Sequence, residues 1–329
     1  MSLIGTWMQS VGQWWLVLEL TGSPFQLGLV NTLQFAPILL LSPVGGSLSD
    51  RLGKRRILLV TQAAMMMQAL VLALLVRSGH VRYWHVAVLA VIYGVGRAID
   101  IPARQSFLTD LVGKADLPNA VALNSVVFNG ARIVGPAVAG LLIARFDVAF
   151  AFFLNAASFV AVLAALLAIR TEGHPDPAGR LGIRQGLVGA VSYALETPPV
   201  GFTLALLRRD RPPLSLLAGS AAALSAGVAL LALVGHFGVA VASLAVLGCL
   251  QIYFSTSCNT TLQLITPHAL RGRVMGLYAL AFAGMTPFGS LLVGIIAERF
   301  GVRTACALGG TTGLLAVGVL SFVSLRRGR

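Results

Sequence analysis

The feature that most constrains this chain is a succession of apolar stretches, each close to the ~20 residues that a helix needs to cross a membrane. Apolar residues make up 57% of the chain and charged residues 11%, against about 25% charged residues in an ordinary soluble domain. Because so much apolar surface does not fit into one soluble core, we predict an all-α polytopic membrane protein. The ten predicted spans cover residues 2–20, 26–48, 57–76, 83–105, 119–144, 148–169, 214–235, 237–265, 273–297 and 302–325.

The basic residues predict the orientation of these spans. The net charge is +13, and cytoplasmic loops of membrane proteins carry an excess of Lys and Arg. With the N-terminus in the cytoplasm, seventeen basic residues fall in cytoplasmic loops and five in external loops. Both termini are therefore predicted to be cytoplasmic. The same pattern accounts for the positive charge without nucleic acid, because no basic face carries interleaved aromatic residues.

No residue pattern predicts catalysis, a metal site or a cofactor. Cys249, Cys258 and Cys306 lie inside apolar stretches and form no Cys-x-x-Cys or Cys/His cluster. We expect them to act as small hydrophobic side chains. The sequence shows no phosphate loop and no nucleophile next to a base, so we predict that the protein is not an enzyme.

The chain contains an internal repeat. Residues 135–146 and 289–300 both read G-x4-G-x4-R-F, at an offset of 154, as expected for a transporter built from two parallel halves. The same offset places the counterparts of the first two spans at about 156–202. There, residues 171–199 carry charges and prolines, and the apolar stub at 200–207 is too short to span. A pair of spans is therefore predicted to be absent from the second half.

These observations predict three regions. We expect an N-terminal six-helix bundle, a cytoplasmic linker in which residues 183–194 form an amphipathic surface helix, and an incomplete C-terminal bundle of four helices. The three regions cover residues 1–169, 170–213 and 214–329.

A short charged loop joins the second and third spans. Residues 46–56 read Gly-Ser-Leu-Ser-Asp-Arg-Leu-Gly-Lys-Arg-Arg. This spacing resembles the loop between helices two and three of the major facilitator superfamily of transporters. Residues 16–23, 119–136 and 270–278 extend the resemblance to the bacterial exporter branch that includes enterobactin and macrolide efflux proteins.

This resemblance implies a two-bundle fold of twelve helices, from which helices seven and eight are missing here, leaving six plus four. It implies a bacterial inner-membrane exporter of amphipathic small molecules, drugs or siderophores, that exchanges them for protons by alternating access. Two alternatives stay open. The chain is a truncated relative that does not transport and acts at most in membrane interactions, or it is a gene fragment that has lost its start and an internal piece.

The resemblance also implies that the charged loop is a gating latch. Asp50 is expected to face the N-terminus of the ninth span near Arg273, where the helix dipole favours an anion. Arg51 is expected to pair with an acid at the end of the fourth span, for which Asp110 is the candidate. The alternative is that the loop only marks topology. The gating residues are Gly46, Asp50, Arg51, Gly53, Lys54, Arg55, Arg56 and Asp110.

Charged residues inside spans are costly and usually face a cavity or a partner. Asp100 is the leading proton-coupling candidate, although Arg97 and Arg104 on the same helical face oppose its protonation. Glu19, near the external end of the first span, is the second candidate. Arg97 and Arg132 are candidates for binding anionic groups of a substrate. A static salt-bridge cluster is the alternative.

Further polar and glycine residues complete the predicted site. The fifth span carries a motif whose glycines allow close helix approach and whose proline allows a bend. The resemblance implies that this motif lies at the interface of the halves, and a kinked packing helix is the alternative. The cavity candidates are Gln13, Trp14, Gln34, Asn129 and Asn259, and Trp14 equally suits an aromatic belt. The motif consists of Gly130, Gly135, Pro136 and Gly140.

Overall fold

All regular structure described by the computed structural model is α-helical, as predicted. The structure describes residues 2–169, 214–265 and 284–327, and the predicted surface helix at 183–194 lies outside them. The described helices are α1 (Ser2–Thr21), α2 (Pro24–Arg51), α3 (Lys54–Arg77), α4 (Tyr83–Arg145), α5 (Val148–Ala168), α6 (Leu214–Leu231), α7 (Phe237–Ile265), α8 (Thr286–Phe300) and α9 (Val302–Arg327).

Helix α4 contains two of the predicted spans. Its 63 residues are interrupted at Gly113, where φ is 71° and ψ is 175°. This left-handed φ is readily adopted by glycine, which has no Cβ. We call residues 83–112 the first limb and residues 114–145 the second limb. The predicted spans 83–105 and 119–144 lie in these two limbs.

Among the described residues, seven helical segments are long and apolar enough to cross a membrane. Helix α1 is not among them, and it carries Gln9, Gln13 and Glu19 in an otherwise apolar stretch. Of the predicted span 273–297, only residues 284–297 are described. The division into six and four spans stays a prediction. The seven segments are Pro24–Leu41, Lys54–Arg77, Tyr83–Gly113, Val126–Arg145, Val148–Ala168, Phe237–Asn259 and Val302–Phe322.

Two compact units divide the chain, unit 1 within residues 1–189 and unit 2 within residues 190–329. In unit 1, helices α1 to α5 share one apolar core, to which each contributes at least one side chain. These side chains include Leu16, Val17, Val30, Leu72, Val86 and Phe152, all at most 3% exposed. In unit 2, α9 packs against α6 and α8, and α6 packs against α7.

Glycines bring the helices of unit 1 close together. A Cβ at Gly45 of α2 would overlap the carbonyl of Ala98, and one at Gly94 of α4 would overlap the carbonyl of Gln34. A Cβ at Gly135 would lie 2.6 Å from Trp7 Cβ. Small residues at such crossings let helix backbones approach, which is how membrane helices gain packing energy. The crossings of α4 with α2 and with α1 thus depend on the absence of a side chain.

The two glycines Gly135 and Gly130 provide a matched test of this packing. Gly135→Ala should destabilise the protein by about 1–3 kcal/mol, because the new Cβ overlaps α1. Gly130 has nothing within 4 Å of an added Cβ, so Gly130→Ala should be neutral or stabilise by about 0.5–1 kcal/mol. The midpoint of thermal unfolding in one detergent checks both. Equal midpoints for the two variants would contradict the close approach of α1 and α4.

Candidate functional site

An ion pair anchors the charged loop between α2 and α3 to the first limb of α4. Lys54, the first residue of α3, is 5% exposed, and its Nζ lies 2.8 Å from Asp110 Oδ2 at the end of the first limb. The sequence predicted Arg51 as the partner of Asp110, whereas the described partner is Lys54. The side chains of Asp50 and Arg51, and residue Gly46, lie outside what the structure describes.

Arg55 joins the same loop to the end of α5. Its Nε donates to the carbonyl of Leu166 at 2.7 Å and its Nη2 donates to the carbonyl of Leu167 at 2.8 Å. The last carbonyls of a helix have no partner within the helix, and a cation there is favoured by about 0.3–1 kcal/mol. Arg56 is exposed, and Gly53 is the residue before α3. Adjacent residues of the loop therefore anchor α4 and α5.

Asp100 is buried, and its carboxylate accepts hydrogen bonds from several neighbouring side chains. It is 5% exposed and accepts hydrogen bonds from the Thr61 hydroxyl at 3.0 Å and from Gln62 Nε2 at 2.8 Å. Arg104, one turn later on α4, pairs with it at 2.9 Å. These donors stabilise the ionised carboxylate. Asp100 thus lies where α3 meets α4, with its charge balanced by Arg104.

A chain of side-chain amides crosses the middle of unit 1. Asn155 of α5 donates to Gln9 of α1, and Gln9 Nε2 donates to Gln68 Oε1 of α3 at 2.9 Å. One helix away, Gln13 Nε2 donates to Gln34 Oε1 at 3.2 Å. All five side chains are at most 7% exposed. The polar candidates Gln13 and Gln34 therefore contact each other.

Sequence reasoning missed Thr61, Gln62, Gln68 and Asn155 as parts of this interior. The available signal was periodicity, because Thr61, Gln68 and the apolar Met65 recur on one buried face of α3. Amides inside apolar helices can pack against a neighbouring helix or line a cavity. The sequence alone does not distinguish these two outcomes, since they depend on which helix lies opposite.

Two arginines in the spans contact aromatic rings. The Arg97 guanidinium lies 5.9 Å from the centre of the Tyr93 ring, and its Nη1 donates to the Tyr93 hydroxyl at 3.4 Å. The Arg132 guanidinium lies 5.7 Å from the Trp7 ring centre, and Trp7 meets Phe128 edge-on at 6.0 Å. Within the part of the chain that the structure describes, the ion pairs are Lys54–Asp110 and Arg104–Asp100. Neither aromatic-bound arginine forms an ion pair there, although Arg97 interacts with the charge of Asp100.

The other predicted residues lie apart from this interior. Glu19 is exposed in an open cleft of about 480 Å³ that Trp15, Gly140 and Asp147 also line. Trp14 is 37% exposed. Asn129, Gly130, Pro136 and Asn259 are half-buried. Among the described residues, no three His, Cys, Asp or Glu side chains are grouped as a metal site would need.

Comparison with known families identifies the chain. A family model described as a transmembrane secretion effector, within the major facilitator superfamily, matches residues 1–209 and 200–328. The chain belongs to this family. The sequence prediction of a superfamily exporter is confirmed, and the family consists of membrane transporters, not enzymes. The chain is therefore a multi-pass membrane protein.

Curated relatives are named as a transporter, an efflux pump and an exporter. The staphyloferrin A transporter of Staphylococcus aureus is 32% identical over 180 residues, which cover 54% of this chain and 45% of the relative. The multidrug efflux pump Tap of Mycolicibacterium fortuitum is 29% identical, covering 56% and 47%. The enterobactin exporter EntS of Escherichia coli is 26% identical, covering 94% and 86%. The chain spans about half the length of the first two.

Solved structures share the fold. A transporter of the POT family has a TM-score of 0.70 and 13% identity, covering 100% of this chain and 96% of its own. The xylose transporter XylE of E. coli, in an inward-open conformation, has a TM-score of 0.68 and 14% identity, covering 97% and 94%. At these identities the likeness shows the fold alone.

The ion pair of Lys54 and Asp110 predicts an asymmetric response to substitution. Asp110→Asn leaves the buried ammonium without a counter-ion and should cost about 3 kcal/mol. Lys54→Met leaves a carboxylate whose side chain is 28% exposed, and should cost about 1 kcal/mol. Unfolding midpoints in detergent measure both. The double variant should be more stable than Asp110→Asn alone, and strict additivity would contradict the pairing.

Proposed function

We propose that the chain is a secondary active transporter that exports amphipathic small molecules, drugs or siderophores, in exchange for protons by alternating access. One observation carries the proposal: a family model of secretion transporters matches almost the whole chain while unit 1 buries a set of polar side chains among apolar helices. The named relatives, which transport staphyloferrin A, export enterobactin or extrude multiple drugs, support the substrate range.

Proton coupling is assigned first to Asp100. Polar groups in membrane spans are expensive and mark pathways more often than they add stability, and Asp100 is the buried carboxylate of unit 1. Its partner Arg104 has a side chain that is 47% exposed, so the guanidinium can turn toward water when the carboxyl takes up a proton. Glu19 is the second candidate, since it is already exposed.

The gating role is assigned to the loop at residues 46–56 together with Asp110. The Lys54–Asp110 pair and the Arg55 bonds to the end of α5 support it, because both connect the loop to other helices of unit 1. Asp50 and Arg51 enter through the family resemblance. The basic loop lies at the same end of unit 1 as the start of α1, which suits a cytoplasmic N-terminus. The proposed location is the bacterial inner membrane, with both termini in the cytoplasm.

A truncated, non-transporting relative is the second candidate function. The family model matches in two pieces that overlap at residues 200–209, next to the predicted loss of helices seven and eight. The match to the enterobactin exporter runs over 362 residues but takes in 94% of a 329-residue chain, so about 50 positions have no counterpart here. That deficit is close to two spans of ~20 residues and a turn.

Transport by everted membrane vesicles tests the two candidates. When the vesicle interior is acidic, vesicles that contain the chain should accumulate ethidium or pyrenebutyrate several-fold above vesicles without it. A protonophore should abolish the difference. Asp50→Asn should reduce accumulation at least tenfold. Asp116→Asn, which changes an exposed acid, should leave it unchanged. Absence of transport by folded wild-type protein, restored by a family-like hairpin inserted after Pro199, would favour the truncated relative.

Substitution of Asp100 separates coupling from structure. Asp100→Asn removes the titrating group but keeps a side chain of the same shape for Thr61 and Gln62. Substrate exchange at equal pH should stay within about twofold of wild type, whereas gradient-driven accumulation should fall at least tenfold. If exchange and accumulation fall together, Asp100 is structural. If neither falls, Glu19→Gln becomes the decisive variant.

A further inference from the structure

The membrane-embedded charges of unit 1 do not balance. Asp100 has Arg104 as its counter-ion and also interacts with the charge of Arg97, but Arg132 forms no ion pair with a described residue. A cation in the spans is costly unless it is paired or solvated. Contact with an aromatic ring compensates only part of that cost. The positive charge of Arg132 is therefore available to an anion.

The contact of Arg132 leaves its hydrogen-bonding edge open. The guanidinium carbon lies 5.7 Å from the centre of the Trp7 ring. The five N–H donors of the guanidinium point outward in its plane, and no described residue accepts from them. A planar guanidinium with a free edge is the geometry that binds a carboxylate through two parallel hydrogen bonds. Trp7 and Phe128, packed edge to face, provide an apolar surface beside that edge.

Arg97 lies at the same depth as Arg132. The ends of α1 and α4 and the starts of α2 and α4 meet on one side of unit 1, since Tyr83 donates to the Gln26 carbonyl and Glu19 shares a cleft with Asp147. Arg97 is fourteen residues from Tyr83, and Arg132 is thirteen residues from Arg145. At 1.5 Å per residue, both lie about 20 Å below that side.

We infer that unit 1 selects organic anions, with a carboxylate or similar oxyanion of the substrate pairing with Arg132 while its apolar body packs on Trp7 and Phe128. Arg97 supplies a second positive charge at that depth. The inference rests on the proposed export function, since it takes the bound molecule to be the substrate. It narrows the substrate class to amphipathic anions and disfavours cations of the same size.

A matched pair of probes tests the sign of the charge. Pyrenebutyrate and pyrenebutyl-trimethylammonium share a fluorophore and a linker and differ in the charged head group. Energy transfer from tryptophan to pyrene measures their binding to the full chain in detergent. The anion should bind at least about tenfold more tightly, as expected for a charge-assisted pair. Equal affinities for wild-type protein would overturn the inference.

Substitutions of single arginines test which residue causes the preference for the anionic probe. Arg132→Gln should remove it, and Arg132→Lys, which keeps the charge but not the planar fork, should keep a weakened preference. Arg145→Gln is the control, because it removes an exposed arginine from the same limb and should change nothing. An unchanged preference in folded Arg132→Gln protein would overturn the assignment. If Arg132→Gln does not fold, the ratio of the two probe affinities in wild-type protein and in Arg132→Lys decides. An undiminished preference of Arg132→Lys for the anion would count against the bidentate pair.

Vesicle transport of the same two probes separates this inference from the proposed function. Anion-selective binding without gradient-driven accumulation would overturn export and leave the anion site standing. Accumulation of both probes at equal rates, with equal affinities, would support export and overturn the anion preference.

Discussion

A polar group that a membrane helix places away from water is costly unless it finds a partner inside the protein, and this cost organises unit 1. The backbone avoids it by staying helical. The side chains avoid it through pairs that join different helices: Asn155 with Gln9, Gln13 with Gln34, and Asp100 with Thr61 and Gln62. Each pair fixes the rotation of two helices about their axes, because an amide or carboxylate turned toward lipid would lose its partner.

Much of this fold can be predicted from the sequence, since apolar length and basic loops are local signals. The stretches at 57–76 and 148–169 correspond to α3 and α5. The pairing of Asp110 could not be predicted in the same way. Lys54 begins α3, and the rotation of α3 against α4 decides whether its side chain reaches the acid. The amide chain joins residues up to 146 positions apart, so its membership follows from packing that no local pattern records.

The charges of unit 1 fall into two classes with different physical meanings. Lys54–Asp110 and Arg104–Asp100 are compensated pairs near the loop and the α3–α4 contact, and such pairs hold a conformation until a proton or a movement releases them. Arg132 contacts the Trp7 ring and forms no ion pair among the described residues, whereas Arg97 contacts Tyr93 and also interacts with the charge of Asp100. A compensated pair suits gating or coupling, whereas a cation with a free donor edge suits recognition of an anion. The same helix, α4, carries both classes.

The predicted loss of a helix pair from the second half bears differently on the two units. The core of unit 1 and the partners of its buried amides come from α1 to α5 alone, so its packing does not require the missing helices. Unit 2 does not have a comparable set of helices. The helices described there are α6, α7, α8 and α9, and α9 packs with both α6 and α8. A surface that the missing pair would cover must meet lipid or another protein instead. The proposed recognition by Arg132 and the proposed coupling by Asp100 thus belong to unit 1, while a defect in transport would be expected in the unit that is predicted to lack the pair.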